Sequence, residues 1–291
     1  MNAQILCRLV WLIGIGLWVS SCQSFLDSTD WETLATQFDA DVVRIPAGEF
    51  IMGSDNARSD ERPQHQVCLD AFAIDRYEVT TAQYRRFLIS TGRTPPRYWS
   101  GTAFPAGQTD YPVVAVSWDD ADAYCVWVNK RLPTEAEWEK ACRGTAGRVY
   151  PWGDDWNPSH ANIDVSNHTP HFGDAVWGDA WNLLPATLGD LRLRRVGSFA
   201  DGASPYGVMD LVGNGSEWMA DWYNWSDYSA IPKRNPRGLG PPWNHNLRGS
   251  AWYDLQGAQG WAKELSRCAA RNSAHETADP RVGFRCARSI E

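Results

Sequence analysis

The segment Asp210-Leu-Val-Gly213-Asn-Gly215-Ser-Glu217 sets two carboxylates a loop's length apart with glycines between them. A hard cation such as calcium takes about six to eight oxygen ligands, and glycines let backbone carbonyls come close to it. The same residues also fit a tight turn whose carboxylates cap neighbouring amides. His160, His168 and His171 share one polar segment. Zinc needs a fourth ligand that the segment does not offer, so they read as exposed loop residues. Asp254 has the chemistry of a hard-metal ligand or a general base and could work with His245 or His275, but no matched partner stands at a defined spacing.

Thiol chemistry is constrained by count. Of seven cysteines, Cys7 lies in the N-terminal leader and Cys22 is set aside just after it, which leaves Cys68, Cys125, Cys142, Cys268 and Cys286. In an oxidising compartment this odd set gives two disulfides and one spare thiol. The spare one, Cys68, is expected as a buried free thiol in a strand. No cysteine occurs between Cys142 and Cys268.

The elements that must hold these groups begin near Val42. Val42 to Met52 and Val67 to Ile74 alternate like antiparallel strands, the first broken by a turn at Pro46 to Gly48. Thr80-Thr-Ala-Gln83 and Thr134-Glu-Ala-Glu137 are capping boxes, and Ser117-Trp-Asp-Asp120 is a weaker version that opens a helix over Ala121 to Asn129. Tyr84, Phe87 and Leu88, then Ala121, Tyr124, Cys125 and Val128, recur at helical spacing and should face one core. From Gly144 to Pro205 the pattern gives way to Gly, Pro, Asn, Asp and Trp, a length of loop that needs indole packing, ions or disulfides to hold it; the chain has 17 Trp. Short strands are predicted again near Tyr206 to Met209, Leu247 to Trp252 and Val282 to Arg288.

The chain is 43% hydrophobic and 12% aromatic, ample for a packed core. Its net charge of −8, with no long Lys/Arg run, argues against a nucleic-acid partner. Leu9 to Val19 is almost purely apolar, which is the length of a signal-peptide core, and Val19-Ser20-Ser21-Cys22 resembles the lipobox of bacterial lipoproteins. The expected organisation is a signal peptide over 1–21, a lipid-carrying Cys22 heading a polar tether over 22–41, and one domain over 42–291. Gln23 in place of Asp after the cysteine points to the periplasmic face of the outer membrane. A plain signal peptide is the other reading.

Blocks in fixed order carry a family resemblance. They include Gly48-Glu-Phe-Ile-Met-Gly53, Tyr77-Glu-Val-Thr80, Arg131-Leu-Pro-Thr-Glu-Ala-Glu-Trp138, Tyr150-Pro-Trp-Gly-Asp154, Gly213-Asn-Gly-Ser-Glu-Trp218, Arg248-Gly-Ser-Ala-Trp252 and Val282-Gly-Phe-Arg-Cys286. From about Val43 to Arg288 the chain resembles the formylglycine-generating enzyme, or sulfatase-modifying factor, family. The resemblance implies a single compact α+β domain, low in regular secondary structure, with a C-type-lectin-related fold, structural calcium and a surface groove for a protein or peptide.

It also implies Cys125–Cys286 and Cys142–Cys268 disulfides, each worth roughly 4 to 5 kcal/mol by chain-entropy arguments. By resemblance, the Asp210 and Glu217 side chains and the Gly213 and Gly215 carbonyls hold one calcium. A second site would use Asn162 and the Ile163 carbonyl, completed by Asp179 or Asp190. Active members carry two cysteines that bind copper(I); here those positions hold Asp254 and Gln259, or Lys263 for the second with a different gap, so copper is not expected. Ala251 stands at the family's active-site serine and Ser216 at its groove tryptophan. The expected groove residues are Ser216, Trp218, Ala251, Trp252 and Asp254. The functional expectation is a non-catalytic, membrane-anchored binding module. Its rivals are an enzyme with altered chemistry on a periplasmic peptide or metabolite, and formylglycine generation on sulfatases.

Overall fold

Three polar side chains start the three main helices. Thr80 and Thr134 each accept a backbone N–H from the residue three on, while Gln83 and Glu137 reach back, and Ser117 accepts from the Asp120 amide. The resulting helices are α1 (Thr81–Thr91), α2 (Trp118–Trp127) and α3 (Glu135–Arg143). This computed structural model describes residues 41–163, 193–224, 228, 231–238, 244–251, 259–275 and 277–290, with the backbone alone at 259–261. The expected signal peptide, Cys22 and the tether up to residue 40 lie outside the described residues. So do His168, His171, Asp179, Asp190, Trp252 and Asp254.

The strands are β1 (Val42–Ile45), β2 (Gly48–Met52), β3 (His65–Leu69), β4 (Phe72–Asp75), β5 (Ser216–Trp222), β6 (His245–Arg248), β7 (Asn272–Ala274), β8 (Val282–Gly283) and β9 (Ala287–Ser289). A short helix, α4 (Gln259–Leu265), follows β6. The strands form a three-stranded sheet β1-β4-β9, a β2-β3 hairpin, and a four-stranded sheet β7-β6-β5-β8 in which only β5 and β8 run parallel. The first and last strands of the domain thus share one sheet, through Val42 opposite Asp75 and Phe72 opposite Ser289.

Two apolar clusters fill the space between sheets and helices. One joins β1 to β4 with Trp138, Leu211 and Met219, and the other joins α1 and α2 with Trp99, Trp218 and Phe284. Tyr84, Phe87, Leu88, Ala121, Tyr124 and Cys125 are buried as their spacing predicts, while Val128, at the end of α2, is only partly covered. Both expected disulfides are present: Cys125–Cys286 ties α2 to the segment between β8 and β9, and Cys142–Cys268 ties α3 to the segment after α4.

Three strand expectations change. Tyr206 to Met209 forms a turn and irregular chain, because Gly207 takes a positive φ of 84° and Ser204 caps the turn. The strand near Leu247 stops at Arg248, since Gly249 turns the chain at φ 69°. Val282 to Arg288 divides into β8 and β9, which serve different sheets.

Candidate functional site

The residues of the loop expected to bind calcium converge with one carboxylate that the sequence reading passed over. Glu78 stands between β4 and α1, almost fully buried, and its two oxygens accept from the Gly215 amide at 2.9 Å and Asn214 Nδ2 at 2.8 Å. Burial, then the nearby charges of Asp210 and Glu217, hold the Glu78 carboxyl well above the usual carboxylate range. Asp210 is raised as well, first by burial, although its Oδ2 accepts from the Gly197 amide at 2.6 Å. Glu217 faces Arg285 fork to fork, with Nε and Nη2 donating at 2.7 Å to its two oxygens, and it also accepts from Trp138 Nε1 at 3.0 Å. Three buried carboxylates therefore meet one guanidinium.

The two glycines let this cluster close. A Cβ at Gly215 would stand 2.9 Å from Glu78 Oε1, and one at Gly213 would stand 2.3 Å from the Asn162 carbonyl oxygen. Gly213 also has φ 78°, and Asp210 and Asn214 adopt positive φ too. Asn162 is joined to the loop: its carbonyl accepts from the Asn214 amide at 2.9 Å, and its side chain donates to Asn214 Oδ1 at 3.0 Å. Ile163 follows, partly covered. The donor set is all oxygen and carries more negative charge than Arg285 offsets, which suits a hard cation. Among the described residues, no three His, Cys, Asp or Glu side chains stand at metal-binding separations. Hydrogen bonds hold the cluster as it is arranged here.

The expected groove needs correction. Trp218 does not line a surface: it is fully buried, its indole N–H donates to the Val116 carbonyl at 3.1 Å, and it packs with Leu247 and Phe284 in the second core cluster. Neighbours on a strand face opposite sides, so Glu217 points towards Arg285 while Trp218 enters this core. Ser216 is buried and donates to the Gly249 carbonyl at 3.2 Å, and Ala251 is buried just past the same turn. Trp252 and Asp254 lie outside the described residues. Gln259 opens α4, and Lys263 lies exposed on that helix.

The arginines around this turn are committed to scaffolding. Arg248 is fully buried, donating to Glu135 at 3.0 Å, Glu139 at 2.8 Å, Tyr228 at 3.1 Å and the carbonyls of Cys268 and Ala270. Arg271 makes a bidentate contact with Glu135 at 2.8 and 3.1 Å, and Arg267 does the same with Glu61 at 2.5 and 2.7 Å. Burial alone would raise the Glu135 carboxyl, but Arg271 and Arg248 outweigh it and hold it below the usual range. Asp221 caps this network from below, accepting from the Glu135 amide at 2.6 Å and from the Gly238 amide.

The histidines also find structural roles. His245 lies between Trp118 and Trp222, with ring centroids 4.0 and 3.7 Å away. His160 bonds to Asn157 at 2.9 Å and meets Trp152 edge-on. His275 is exposed. Cys68 is free, as counted, but only half-buried in β3, with Arg234 against it.

Comparison with known proteins places this arrangement. The family described as "Sulfatase-modifying factor enzyme 1-like domain" matches residues 28–290, beginning ahead of the expected domain boundary at 42. The chain is 33% identical over 270 residues to the "Serine/threonine-protein kinase pkn1" of Chlamydia caviae, covering 86% of this chain but only 38% of that protein. From Bos taurus, the "Formylglycine-generating enzyme" is 31% identical, covering 84% of this chain and 74% of its own length. The bovine "Inactive C-alpha-formylglycine-generating enzyme 2" is 32% identical, covering 88% and 91%. Among solved structures, PvdO from Pseudomonas aeruginosa aligns with a TM-score of 0.64 at 26% identity, covering 86% of this chain and 94% of that one.

Proposed function

The chain belongs to the sulfatase-modifying factor family, and from that premise we propose that it uses the family scaffold as a non-catalytic module that holds a protein or peptide. One observation carries the reading. Four of the five cysteines in the folded region are locked in two disulfides, and the fifth, Cys68, sits alone on β3. Copper(I) bound by a thiolate pair needs two such groups within reach of one ion, and the region from Arg248 to Arg267 supplies none. That one bovine relative is named inactive and another is named as the enzyme is compatible with a family in which scaffold and reaction separate.

The docking residues in this reading are Trp252 and Asp254, which follow the Gly249 turn in sequence and lie outside the described residues. Ser216 and Ala251 support that turn from inside. Calcium is the metal proposed: the side chains of Asp210 and Glu217, with the carbonyls of Gly213 and Gly215, would hold it. When bound, it would brace the loop before β5. Asn162 and Ile163 would contribute to a second ion beside it. The leader sequence supports a lipid on Cys22 and a place on the periplasmic face of the outer membrane.

The test has two arms. Purified protein is loaded with copper(I) and given a cysteine-containing sulfatase peptide under oxygen; no aldehyde product and no peptide-dependent oxygen uptake are expected, and formation of the aldehyde would overturn the reading. In parallel, envelope extract is passed over the chain and over a Trp252→Ala/Asp254→Ala variant. A protein captured by the first and lost from the second supports the module; no difference between them removes these residues as the docking site.

A further inference from the structure

Glu78 reaches the loop before β5 from a fixed base. The Val79 amide donates to the Phe284 carbonyl at 2.9 Å, the Val79 carbonyl accepts from the Val113 amide at 2.8 Å, and Thr80 caps α1. Arg285, which grips Glu217, also donates through Nη1 to the carbonyls of Asp75 and Arg76 at 3.1 and 3.0 Å. Resting this on the calcium reading above, we propose that Glu78 is the positioning residue of the loop: it adds no ligand, but by clamping the peptide between Asn214 and Gly215 it fixes the directions of the Gly213 and Gly215 carbonyls.

A trans peptide unit is planar, so fixing its N–H fixes its C=O on the opposite side. Three such units run from Gly213 to Ser216, and all are trans, the one cis bond among the described residues being Arg62–Pro63. The first is fixed by the Asn214 amide on the Asn162 carbonyl at 2.9 Å, and the third by the Ser216 amide on the Arg281 carbonyl at 2.9 Å. The middle unit is fixed by the Gly215 amide on Glu78 Oε1 at 2.9 Å. Of the three clamps, only this one is a side chain.

The loop needs that clamp. Asn214 is held at φ 62°, a left-handed conformation that L-residues leave when nothing retains them, and its return to negative φ would swing the unit that carries the Gly213 carbonyl. On the other side Gly215 has no Cβ to limit a turn of the middle unit. Glu78 secures both residues, since its second oxygen accepts from Asn214 Nδ2 at 2.8 Å. A carboxylate suits the task because both groups that face it are donors; an amide side chain would accept from one and set its own N–H groups against the other. The fit is close as well as polar. A Cβ at Gly215 would stand 2.9 Å from Glu78 Oε1 but 3.5 Å from Gly283 N and from Val114 Cγ1, so the glycine at this position is required by Glu78.

The experiment titrates the chelator-treated full chain with calcium by calorimetry, and terbium luminescence lifetimes in H2O and D2O count the waters left on the bound ion. Glu78→Gln removes the clamp from one side, and Gly215→Ala displaces the same oxygen from the other. Each should weaken calcium binding roughly 10–100-fold, the usual effect of losing a group that orients metal ligands, and should add about one bound water where a carbonyl is misdirected. Val67→Ala, a core truncation on β3, lowers stability without touching the loop and should leave both readings unchanged. Affinity and water count equal to the natural chain in both loop variants, or losses that Val67→Ala reproduces, would overturn the positioning role while leaving the calcium reading in place. No calcium binding by the natural chain would remove both.

Discussion

Arg248 Nη2 donates to Glu139 Oε2 across 2.8 Å, and neither side chain has measurable solvent exposure. The arginine opens the block that the family resemblance associates with chemistry, and the glutamate lies on α3, 109 residues away in sequence. The block is thus anchored at its first residue to the same helix that the Cys142–Cys268 bridge holds. Its resemblance to the family follows from this frame, whatever residues fill the positions beyond the turn.

Arg248→Met is expected to be severely destabilising. Glu135 would keep Arg271, and Glu139 would keep Arg143, but two buried carboxylates and two carbonyls would lose a donor. Removing one partner from buried pairs costs about 3–5 kcal/mol. Urea unfolding should show a matching fall in midpoint, with Arg248→Lys recovering only part of it, because an ammonium cannot reproduce the guanidinium fork. A midpoint within error of the natural chain would show that the network is not structural.

Calcium should raise the melting temperature of chelator-treated protein. At a concentration a hundredfold above Kd, the stabilisation is about 2.7 kcal/mol, or about 5–10 °C for a domain of this size. Asp210→Asn should lose most of that rise while keeping the bond from the Gly197 amide. A calcium response equal in both proteins would remove Asp210 from the ligand set.

Acid stability should carry the mark of His245. Burial, against smaller opposing effects from Asp221 and Asp119, lowers its pKa from 6.5 to about 4. Between those two values the unfolded chain takes up a proton that the folded chain refuses, so stability is present above about pH 6.5 and is lost as the pH falls towards 4. The full difference corresponds to about 3 kcal/mol. His245→Phe keeps a ring between Trp118 and Trp222 and cannot titrate. Relative to the natural chain it should gain about that much between pH 7.5 and pH 4, measured by denaturant unfolding; a constant difference would refute the assignment.

Reduction should weaken the fold through both bridges independently of Cys68. The bridges join residues 161 and 126 apart, and chain entropy gives each about 5 kcal/mol as an upper estimate. Cys142→Ser/Cys268→Ser should lower the unfolding midpoint strongly, whereas Cys68→Ser should not. Equal effects from the two variants would mean that the spare thiol is structural.

What the sequence determined by itself was local or counted. Thr80, Ser117 and Thr134 announced their helices because a cap is made within four residues, and the apolar spacing on α1 and α2 named the buried faces for the same reason. Cysteine number set two bridges and one thiol, and the family resemblance supplied their pairing. Only tertiary structure decided the roles that depend on which distant chain arrives. Trp218 read as a groove residue through the family resemblance, yet β5 is covered on both faces, so its indole belongs to the core. Glu78 was visible only as one letter in Tyr77-Glu-Val-Thr80; its meaning comes from Asp210 and Glu217, brought beside it across more than a hundred residues. Burial gives these contacts their strength, since charges that water would screen must find partners once it is excluded, and no local pattern in the chain records which partners those are.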